Sequence, residues 1–275
     1  MFTLKEIQEL VAERINKEAA ELAATHPENL YLPVEYILNL KGKKLRPVLV
    51  LLAYNLFSDD LEKALPAAIA IEIFHNFTLL HDDIMDKADV RRGQPTVHHK
   101  FGENAAILSG DVMSFVSFQY LLKTETKQLK SLLSLYANTA VEVCEGQQYD
   151  MDFENRNNVS ENEYLEMIRL KTAVLLACSL KAGALIAEEE KISASVLYDF
   201  GINLGMAFQL QDDLLDSFGD ESTFGKKIGG DILANKKTFL LIKAFELANP
   251  QQKEKLAFWM NQKLFNPEEK IKVCG

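Results

Sequence analysis

Two short aspartate-rich segments carry the residue types best suited to chemistry in this sequence. They read Asp82-Asp-Ile-Met-Asp86 and Asp212-Asp-Leu-Leu-Asp216, and each follows an apolar run that contains a phenylalanine. Residues four apart lie on one face of a helix, so the first and last carboxylates of each motif stand together. Carboxylate oxygens suit Mg²⁺, which keeps several waters and is usually completed by phosphate oxygens of a substrate. The motifs therefore predict magnesium binding.

The placement of these aspartates is electrostatically unfavourable, which indicates a compensating cation. Like charges at this spacing repel each other, and the C-terminal end of a helix disfavours anions. One such motif, in a chain with 40 acidic and 30 basic residues, would be interpreted as a solvated helix end. Two copies after similar apolar runs make that interpretation the weaker one. We therefore predict two facing helix ends that need compensating cations.

Basic segments of the kind that binds phosphate lie nearby in the sequence. Arg91-Arg92-Gly93 follows the first motif, and Gly42-Lys-Lys-Leu-Arg-Pro47 places three cations on a turn tightened by glycine and proline. Arginine suits bidentate contacts to phosphate, whereas lysine supplies a point charge. Each segment alone would more often be solvated surface. In the company of carboxylates of the magnesium-binding type, they predict a site for an anionic substrate.

The elements that position these residues are predicted to be helices. No proline occurs between Thr96 and Asn249, and apolar residues after Tyr164 recur at three-, four- and seven-residue steps. Sustained alternation of period two is hard to find, so the pattern indicates an all-α fold of about ten helices.

Turn and linker signals predict the organisation of the chain. No linker rich in glycine, proline or serine divides it, which favours one domain over residues 1–275. Its last residues, Lys270-Ile-Lys-Val-Cys-Gly275, read like the start of another helix, so we expect the chain to be truncated there. The predicted breaks between helices are His26–Pro33, Gly42–Pro47, Ser58–Asp60, Lys87–Pro95, Asn155–Ser160, Glu188–Ile192 and Phe218–Asn235.

Bulk composition excludes several classes of function. The formal net charge of −10 opposes nucleic acid binding, because that binding relies on clustered lysine and arginine. The three cysteines are far apart in sequence, and an odd number cannot all form pairs. Both features are typical of reduced thiols rather than of disulfides or a zinc site. The N-terminus lacks the pattern of a signal peptide, and the apolar stretches are too short to cross a bilayer. We therefore expect a cytoplasmic protein with no transmembrane segment.

From about Leu40 to about Leu241 the chain resembles the trans-type isoprenyl diphosphate synthases, in particular the short-chain members of the polyprenyl synthetase family. The two aspartate motifs and the two basic segments occur in the family's order, and the same holds for Gly146-Gln-Gln-Tyr-Asp150, Lys171-Thr172, Phe208-Gln209, Gly225-Lys226 and Lys236-Lys237-Thr238. The resemblance implies a large helical bundle around a central cavity, several Mg²⁺ ions and a homodimer. It also implies a trans-prenyltransferase that condenses isopentenyl diphosphate with dimethylallyl, geranyl or farnesyl diphosphate and releases diphosphate.

The resemblance implies a role for individual residues. For isopentenyl diphosphate these are Lys43, Arg46, His75 and Arg92. For the allylic diphosphate they are Arg91, Lys171, Lys226 and Lys236, with Thr172 and Gln209 as further substrate contacts. The principal magnesium ligands would be Asp82, Asp86 and Asp212, and Asp83 and Asp216 complete the candidate set. The residues expected to act in catalysis itself are Asp82, Asp86, Arg91, Lys171, Asp212 and Lys226.

Product length is predicted from the residues just before the first motif. A prenyl tail whose diphosphate is pinned at the metals would run from Asp82 back toward the start of the helix. Phe77 lies five residues upstream, roughly 7 Å along a helix, where a bulky ring can act as a floor. Thr78 beside it is small, and a single aromatic blocks less of the shaft than an adjacent pair. We expect a C15 to C20 product, with geranylgeranyl diphosphate favoured over farnesyl diphosphate.

Three other functions fit part of the pattern. A class I terpene cyclase shares an all-α fold and a metal-binding aspartate motif, but its second motif is usually richer in Asn, Ser or Glu. A ferritin-like di-iron protein needs two ExxH pairs, and only Glu72-Ile-Phe-His75 has that form here. A non-catalytic helical subunit of a synthase need not keep both aspartate motifs, whereas this chain keeps both.

Overall fold

A computed structural model describes residues 1–156, 158–188, 191–219 and 229–262, together with Asn266 and Lys270. Within these ranges the chain is almost entirely helical, and its one sheet is a hairpin of two short strands. The prediction of an all-α fold is therefore confirmed. The chain packs as two compact units: unit 1 comprises Met1–Ala137 and Ala177–Asp199, and unit 2 comprises Asn138–Leu176 and Phe200–Gly275. The expectation of one domain over residues 1–275 stays a prediction.

The helices and strands have the following bounds. The first half of the chain forms α1 (Leu4–Ala23), α2 (Glu28–Leu38), α3 (Leu45–Asn55), α4 (Leu65–Met85), β1 (Val90–Arg91), β2 (Gln94–Pro95), α5 (Val97–Phe101) and α6 (Glu103–Leu122), with a 3₁₀ turn at Leu61–Lys63. The second half forms α7 (Leu129–Glu154), α8 (Glu161–Ile168), α9 (Val174–Ile186), α10 (Lys191–Phe218), α11 (Gly230–Leu233), α12 (Phe239–Leu247) and α13 (Pro250–Asn261). A π-helical stretch, Arg169–Ala173, joins α8 to α9 without a loop.

Local sequence explains where several helices begin. Thr3 and Ser160 each form a capping box, in which the hydroxyl accepts from the backbone of the glutamate three residues on and that glutamate bonds back. Asn249 does the same with Gln252 at the start of α13. These caps satisfy backbone donors that a helix end otherwise leaves unpaired. The predicted break at Asn155–Ser160 is confirmed, with Ser160 as the cap that ends it.

One predicted break between helices was wrong. Helix α2 runs through most of the break predicted at His26–Pro33, because Pro33 lies in the second turn, gives up one backbone bond and buries its ring. The proline-free stretch is interrupted at Gly102, whose φ of 89° suits glycine, and again at residues 123–128. The proline-free stretch nevertheless contains long helices, as its lack of proline predicts, with 20 residues in α6, 26 in α7 and 28 in α10.

In unit 1, α4 packs closely on α6 and is buried along most of its length. A methyl group at Gly110 of α6 would lie 2.2 Å from Nε2 of His81, so glycine is what lets the two helices approach this closely. Nε2 of His81 donates to the carbonyl of Ile107 at 3.2 Å, which fixes the end of α4 that carries the first aspartate motif. Among the described residues α6 alone has the length and apolar character of a membrane span, and 44% of its apolar segment is buried in the fold.

In unit 2, two glycines bring helices into backbone contact around the π-helical stretch. A methyl group at Gly146 of α7 would lie 2.3 Å from the backbone nitrogen of Lys171, and one at Gly205 of α10 would lie 2.4 Å from Cα of Ala173. Both helices are thereby held against the stretch that carries Lys171. Large side chains complete this core, namely Phe153, Tyr164, Met167, Ile168 and Ile242.

Candidate active site

The first aspartate motif lies at the C-terminal end of α4, as predicted. Asp82 lies in the last turn, and Asp86 caps the helix by donating its backbone N–H to the carbonyl of Asp82 at 2.8 Å. Asp82 is partly exposed and Asp86 is exposed. Both carboxylates therefore stand at a helix end that disfavours negative charge, where a cation would compensate them.

Asp83 has a different environment from the other aspartates of this motif. Its side chain is 2% exposed, and Nε of Arg91 donates to both carboxylate oxygens at 2.9 and 2.8 Å. Arg91 lies on β1, and the turn to β2 has positive φ at Arg92 and Gly93, as a type I′ hairpin requires. Asp83 is thus held in a buried ion pair. The first and last aspartates of the motif are better placed to bind a metal.

Basic side chains from three segments of unit 1 lie close together. We call Lys44, Arg46 and Arg92 the basic cluster, and His75 of α4 lies among them. Arg46 donates to Nε2 of His75 at 3.0 Å. A guanidinium has no acceptor, so the imidazole is neutral and carries its proton on Nδ1. Burial holds the pKa of His75 well below its usual range, and the surrounding cations lower it further.

The position of Arg92 depends on a glycine. A methyl group at Gly42 would lie 2.7 Å from both Cζ and Nη1 of Arg92, so the guanidinium fills the space that a side chain at residue 42 would need. Nη1 of Arg92 also lies 3.5 Å from the carbonyl of Leu40. Burial lowers the pKa of Arg46 to about 10, which still leaves its guanidinium charged at neutral pH. Lys43 is exposed at the same turn.

Phe77, the predicted floor for the prenyl tail, belongs to a row of rings on α4. Its ring packs against the imidazole of His81 at a centroid distance of 4.8 Å and against Phe74 at 5.5 Å. Phe74 in turn contacts Tyr136. Thr78 donates its hydroxyl back to a carbonyl of its own helix at 2.8 Å. The row holds Phe77 in place, while part of its ring stays exposed.

The second aspartate motif lies in the last turns of α10, in unit 2. Asp213 is 4% exposed and accepts hydrogen bonds from the hydroxyl of Tyr164 and, at 3.2 Å, from Nε2 of Gln209. Burial raises the pKa of Asp213, and these donors act in the opposite direction. Asp212 is partly exposed. The middle aspartate of this motif is therefore buried and hydrogen-bonded, as it is in the first motif.

Sequence reasoning missed Asp231, which lies in α11 beside the second motif. Its backbone N–H donates to Oδ2 of Asp216 at 2.9 Å, and Asp216 is 9% exposed. Burial and the carboxylates of Asp216, Asp213 and Asp212 raise the pKa of Asp231 to about 6, although Lys236 acts against that rise. Its sequence signal is slight, a glycine pair before it and a lysine pair soon after. Crowded negative charge of this kind is what a divalent cation neutralises.

Lys171 and Thr172 lie on the π-helical stretch, and each contacts a side chain on a neighbouring helix of unit 2. Nζ of Lys171 lies 2.5 Å from Oδ2 of Asp150, which stands on α7. The hydroxyl of Thr172 donates to Oε1 of Gln209 at 3.2 Å, and Gln209 donates onward to the second motif. A π-helical turn inserts one extra residue into a helix and is frequent at functional sites.

The remaining residues predicted to bind diphosphate follow α10 in the chain. Lys226 lies outside the described residues. Lys236 follows α11, and its backbone N–H donates to the carbonyl of Asp231 at 3.0 Å. Of the predicted site residues, unit 1 carries Lys43, Arg46, His75, Phe77, Thr78, Asp82, Asp83, Asp86, Arg91 and Arg92, and unit 2 carries Lys171, Thr172, Gln209, Asp212, Asp216 and Lys236.

Comparison with known proteins finds relatives along most of the chain. The family model described as polyprenyl synthetase matches residues 27–274. Geranylgeranyl diphosphate synthase of Methanosarcina mazei is 44% identical over 227 residues, which cover 82% of this chain and 70% of that protein. The short chain isoprenyl diphosphate synthase of Methanothermobacter thermautotrophicus is 40% identical over 257 residues, covering 93% and 78%. A crystal structure of geranylgeranyl pyrophosphate synthase matches with a TM-score of 0.93 at 46% identity, covering 99% of this chain and 84% of that one.

Proposed function

The chain belongs to the polyprenyl synthetase family and is a short-chain isoprenyl diphosphate synthase, and we propose that it uses several Mg²⁺ ions in its reaction. In that reaction the allylic carbon–oxygen bond ionises, and the double bond of isopentenyl diphosphate attacks the resulting cation. Loss of a proton then gives a longer allylic diphosphate. The observation that carries the proposal is the family match over residues 27–274, a range that contains both aspartate motifs at helix ends.

The donor set supports magnesium as the cofactor. The candidate ligands are all carboxylate oxygens, the hard donors that Mg²⁺ prefers, and burial together with the neighbouring carboxylates raises the pKa of Asp231 beside the second motif. In the part of the chain that the structure describes, no three metal-binding side chains converge on one point. In proteins, Mg²⁺ usually keeps several waters and is completed by phosphate oxygens of a substrate. The ligands in this proposal are Asp82, Asp86, Asp212 and Asp216.

Asp83 is left out of that ligand set and takes another role. Both of its oxygens accept from Arg91, so it orients the guanidinium instead of binding a metal. When bound, Mg²⁺ would stabilise the charge that develops on the leaving diphosphate.

The basic side chains divide between the two diphosphates. Cations beside the leaving allylic diphosphate stabilise its growing negative charge, and we assign this role to Arg91, Lys171, Lys226 and Lys236. Isopentenyl diphosphate keeps its diphosphate, so its cations serve to hold and orient it, and we assign this role to Lys43, Arg46 and Arg92. His75 completes that group as a neutral donor through Nδ1. The departing diphosphate accepts the proton that ends each cycle.

The chain length that fits best is C20, geranylgeranyl diphosphate. Phe77 is half-buried, and its neighbours His81 and Phe74 keep its ring from turning aside. A ring fixed in this way sets a floor for a tail that starts at the metals near Asp82. Thr78 beside it is small and leaves room for more than the C15 tail.

We also propose that the enzyme is a cytoplasmic homodimer. Helix α6 exposes a line of large apolar side chains, of which Phe115 is 72% and Leu108 is 59% exposed. An apolar face of this kind is stabilised when a second copy covers it. Light scattering at micromolar concentration should give the mass of two chains, and a monomer would contradict the proposal.

The proposed function is tested by direct incubation. The purified chain is mixed with isopentenyl diphosphate and with dimethylallyl, geranyl or farnesyl diphosphate in turn, with magnesium or with a chelator. Chromatography of the dephosphorylated products should show mainly the C20 alcohol, in the magnesium samples only. Release of a cyclic hydrocarbon, or condensation that persists with the chelator, would reject the assignment.

A further inference from the structure

Glu72 is a fully buried carboxylate in unit 1 to which the proposed reaction gives no role. It lies on α4, three residues before His75, and its side chain is 1% exposed. Burying a carboxylate is costly unless positive charge and hydrogen bonds compensate it. Burial accordingly raises the pKa of Glu72, and its basic neighbours and Asn76 oppose that rise.

The contacts of Glu72 lead to the basic cluster. Nζ of Lys44 lies 3.7 Å from Oε1 of Glu72, and Nδ2 of Asn76 donates to the same oxygen at 3.1 Å. Oε2 of Glu72 and Nε of Arg46 are both buried without a hydrogen-bond partner among the described residues. Glu72 is the acidic group that acts electrostatically on Lys44, Arg46 and Arg92 alike. Its influence on the cluster is therefore exerted through charge as well as through direct contact.

Lys44 connects Glu72 to the turn that presents the other cations. Its φ of 43° lies in the left-handed region, which is costly for a residue other than glycine and persists where the surroundings hold it. Nζ of Lys44 points inward, donates to the carbonyl of Leu38 at 2.8 Å and leaves the side chain 12% exposed. Lys43 is exposed on one side of this anchor, and Arg46 follows in the first turn of α3.

We propose that Glu72 is a positioning residue for the isopentenyl diphosphate subsite, which anchors the Gly42–Pro47 turn through Lys44 and holds Arg46 and Arg92 close together. This inference rests on the proposed function, because it needs the basic cluster to bind that diphosphate. A negative charge beside the cluster opposes an anionic ligand, so by attraction alone Glu72 would weaken binding. Its contribution is the arrangement of the cations before substrate arrives, which lowers the entropic cost of binding.

The variant Glu72→Gln keeps the shape of the side chain and removes its charge. We expect KM for isopentenyl diphosphate to rise about tenfold, the effect of losing one interaction with a charged group. KM for the allylic primer and kcat at saturation should change by less than about twofold, because Arg91, the residue assigned to the primer that is nearest in sequence to the cluster, is held by Asp83 and not by Glu72.

The pH profile separates positioning from a general defect in structure. Burial lowers the pKa of Lys44, Glu72 opposes that shift from α4, and Arg92 adds to it from the hairpin. Without Glu72, Lys44 loses its proton at lower pH. The alkaline fall in 1/KM for isopentenyl diphosphate should therefore begin at lower pH in Glu72→Gln than in the wild type.

Two further variants keep the test decisive. Asn76→Ala removes the amide that hydrogen-bonds Glu72 but leaves its carboxylate, so KM for isopentenyl diphosphate should rise less than in Glu72→Gln, and KM for the primer should stay within about twofold of the wild type. The double variant Glu72→Gln/Lys44→Met replaces the buried pair with neutral groups, which folds tolerate, and should raise KM for isopentenyl diphosphate even if the single variant does not fold. In variants with wild-type circular dichroism, an unchanged or lower KM for isopentenyl diphosphate, or an equal rise in both KM values, would overturn the proposal. Lack of turnover by the wild type would instead reject the proposed function.

Discussion

The two aspartate motifs share one sequence pattern but differ in how the middle aspartate is neutralised. Asp83 is paired with the guanidinium of Arg91, whereas Asp213 accepts from the neutral hydroxyl of Tyr164 and the amide of Gln209. Successive residues on a helix are about 100° apart, so the second aspartate turns away from the face shared by the first and fifth. In each motif the second carboxylate therefore turns inward, and in the second motif the fifth, Asp216, is buried as well.

Charge around the two motifs differs as well. The first is followed at once by Arg91 and Arg92, while Asp231 adds a further carboxylate to the second and has a pKa of about 6. Among the described residues, negative charge is therefore more crowded at the second motif. Two copies of one motif can therefore have the same spacing of carboxylates and still differ in the charges that surround them.

The largest effect on kcat should come from the first aspartate of each motif, which is partly exposed in both. Asp82→Ala and Asp212→Ala should each lower kcat by about a thousandfold or more, because each removes a proposed magnesium ligand. Circular dichroism should stay unchanged, since neither side chain is part of the core. The exposed Asp89, three residues after Asp86 in the following loop, offers a control, and Asp89→Ala should turn over normally. Near-normal condensation by either motif variant at ordinary magnesium would defeat the ligand assignment.

The next effect separates the two diphosphate subsites. Arg92→Ala should raise KM for isopentenyl diphosphate about tenfold with a small effect on the primer, because a lost charged hydrogen bond costs about that much. Lys171→Ala should instead raise KM for the allylic primer and lower kcat, since Lys171 is assigned to the leaving diphosphate. Initial rates with each substrate varied in turn measure the split. Equal changes in both KM values would mean that the cations were wrongly divided.

A smaller effect tests the difference between the buried aspartates themselves. Asp83→Asn breaks a buried ion pair and should lower the free energy of unfolding by about 2–3 kcal/mol, below the range for a fully buried partner because Arg91 is 27% exposed. Asp213→Asn should cost about 1 kcal/mol, since Tyr164 and Gln209 donate to different carboxylate oxygens and the single amide oxygen keeps one of these two bonds. Urea denaturation of both variants gives the comparison. The reverse order would show that the charged partner is not what distinguishes the two motifs.

The smallest effect on rate should come from Phe77→Ala, which changes only the space available to the prenyl tail of the substrate. Removing the ring should deepen the shaft and shift products to chains longer than C20, with total condensation reduced by less than about twofold. Product chromatography measures the shift, and the exposed Phe258 on α13 provides a matched control. An unchanged product distribution would place the floor elsewhere, for example at Phe74.

Much of the local structure was predictable because its causes are local. The end of α4 at Asp86, the loop at Lys87–Pro95 and the cap at Ser160 follow from residues close in sequence. The break at His26–Pro33 was wrong for the opposite reason. Burial of Pro33 against the rest of unit 1 outweighs the lost backbone bond, and that packing is not visible in the local pattern.

The amino-acid sequence by itself determined the helical fold class, the two motifs at their helix ends and the family resemblance, since these depend on spacing and residue type along one chain. Only the tertiary structure decided that Asp83 pairs with Arg91, that Asp231 contacts the second motif and that Glu72 lies beside Lys44 of the basic cluster. The physical reason is desolvation. The energy of a carboxylate depends on how deeply it is buried and on which charges surround it, and folding sets both by bringing together residues far apart in sequence.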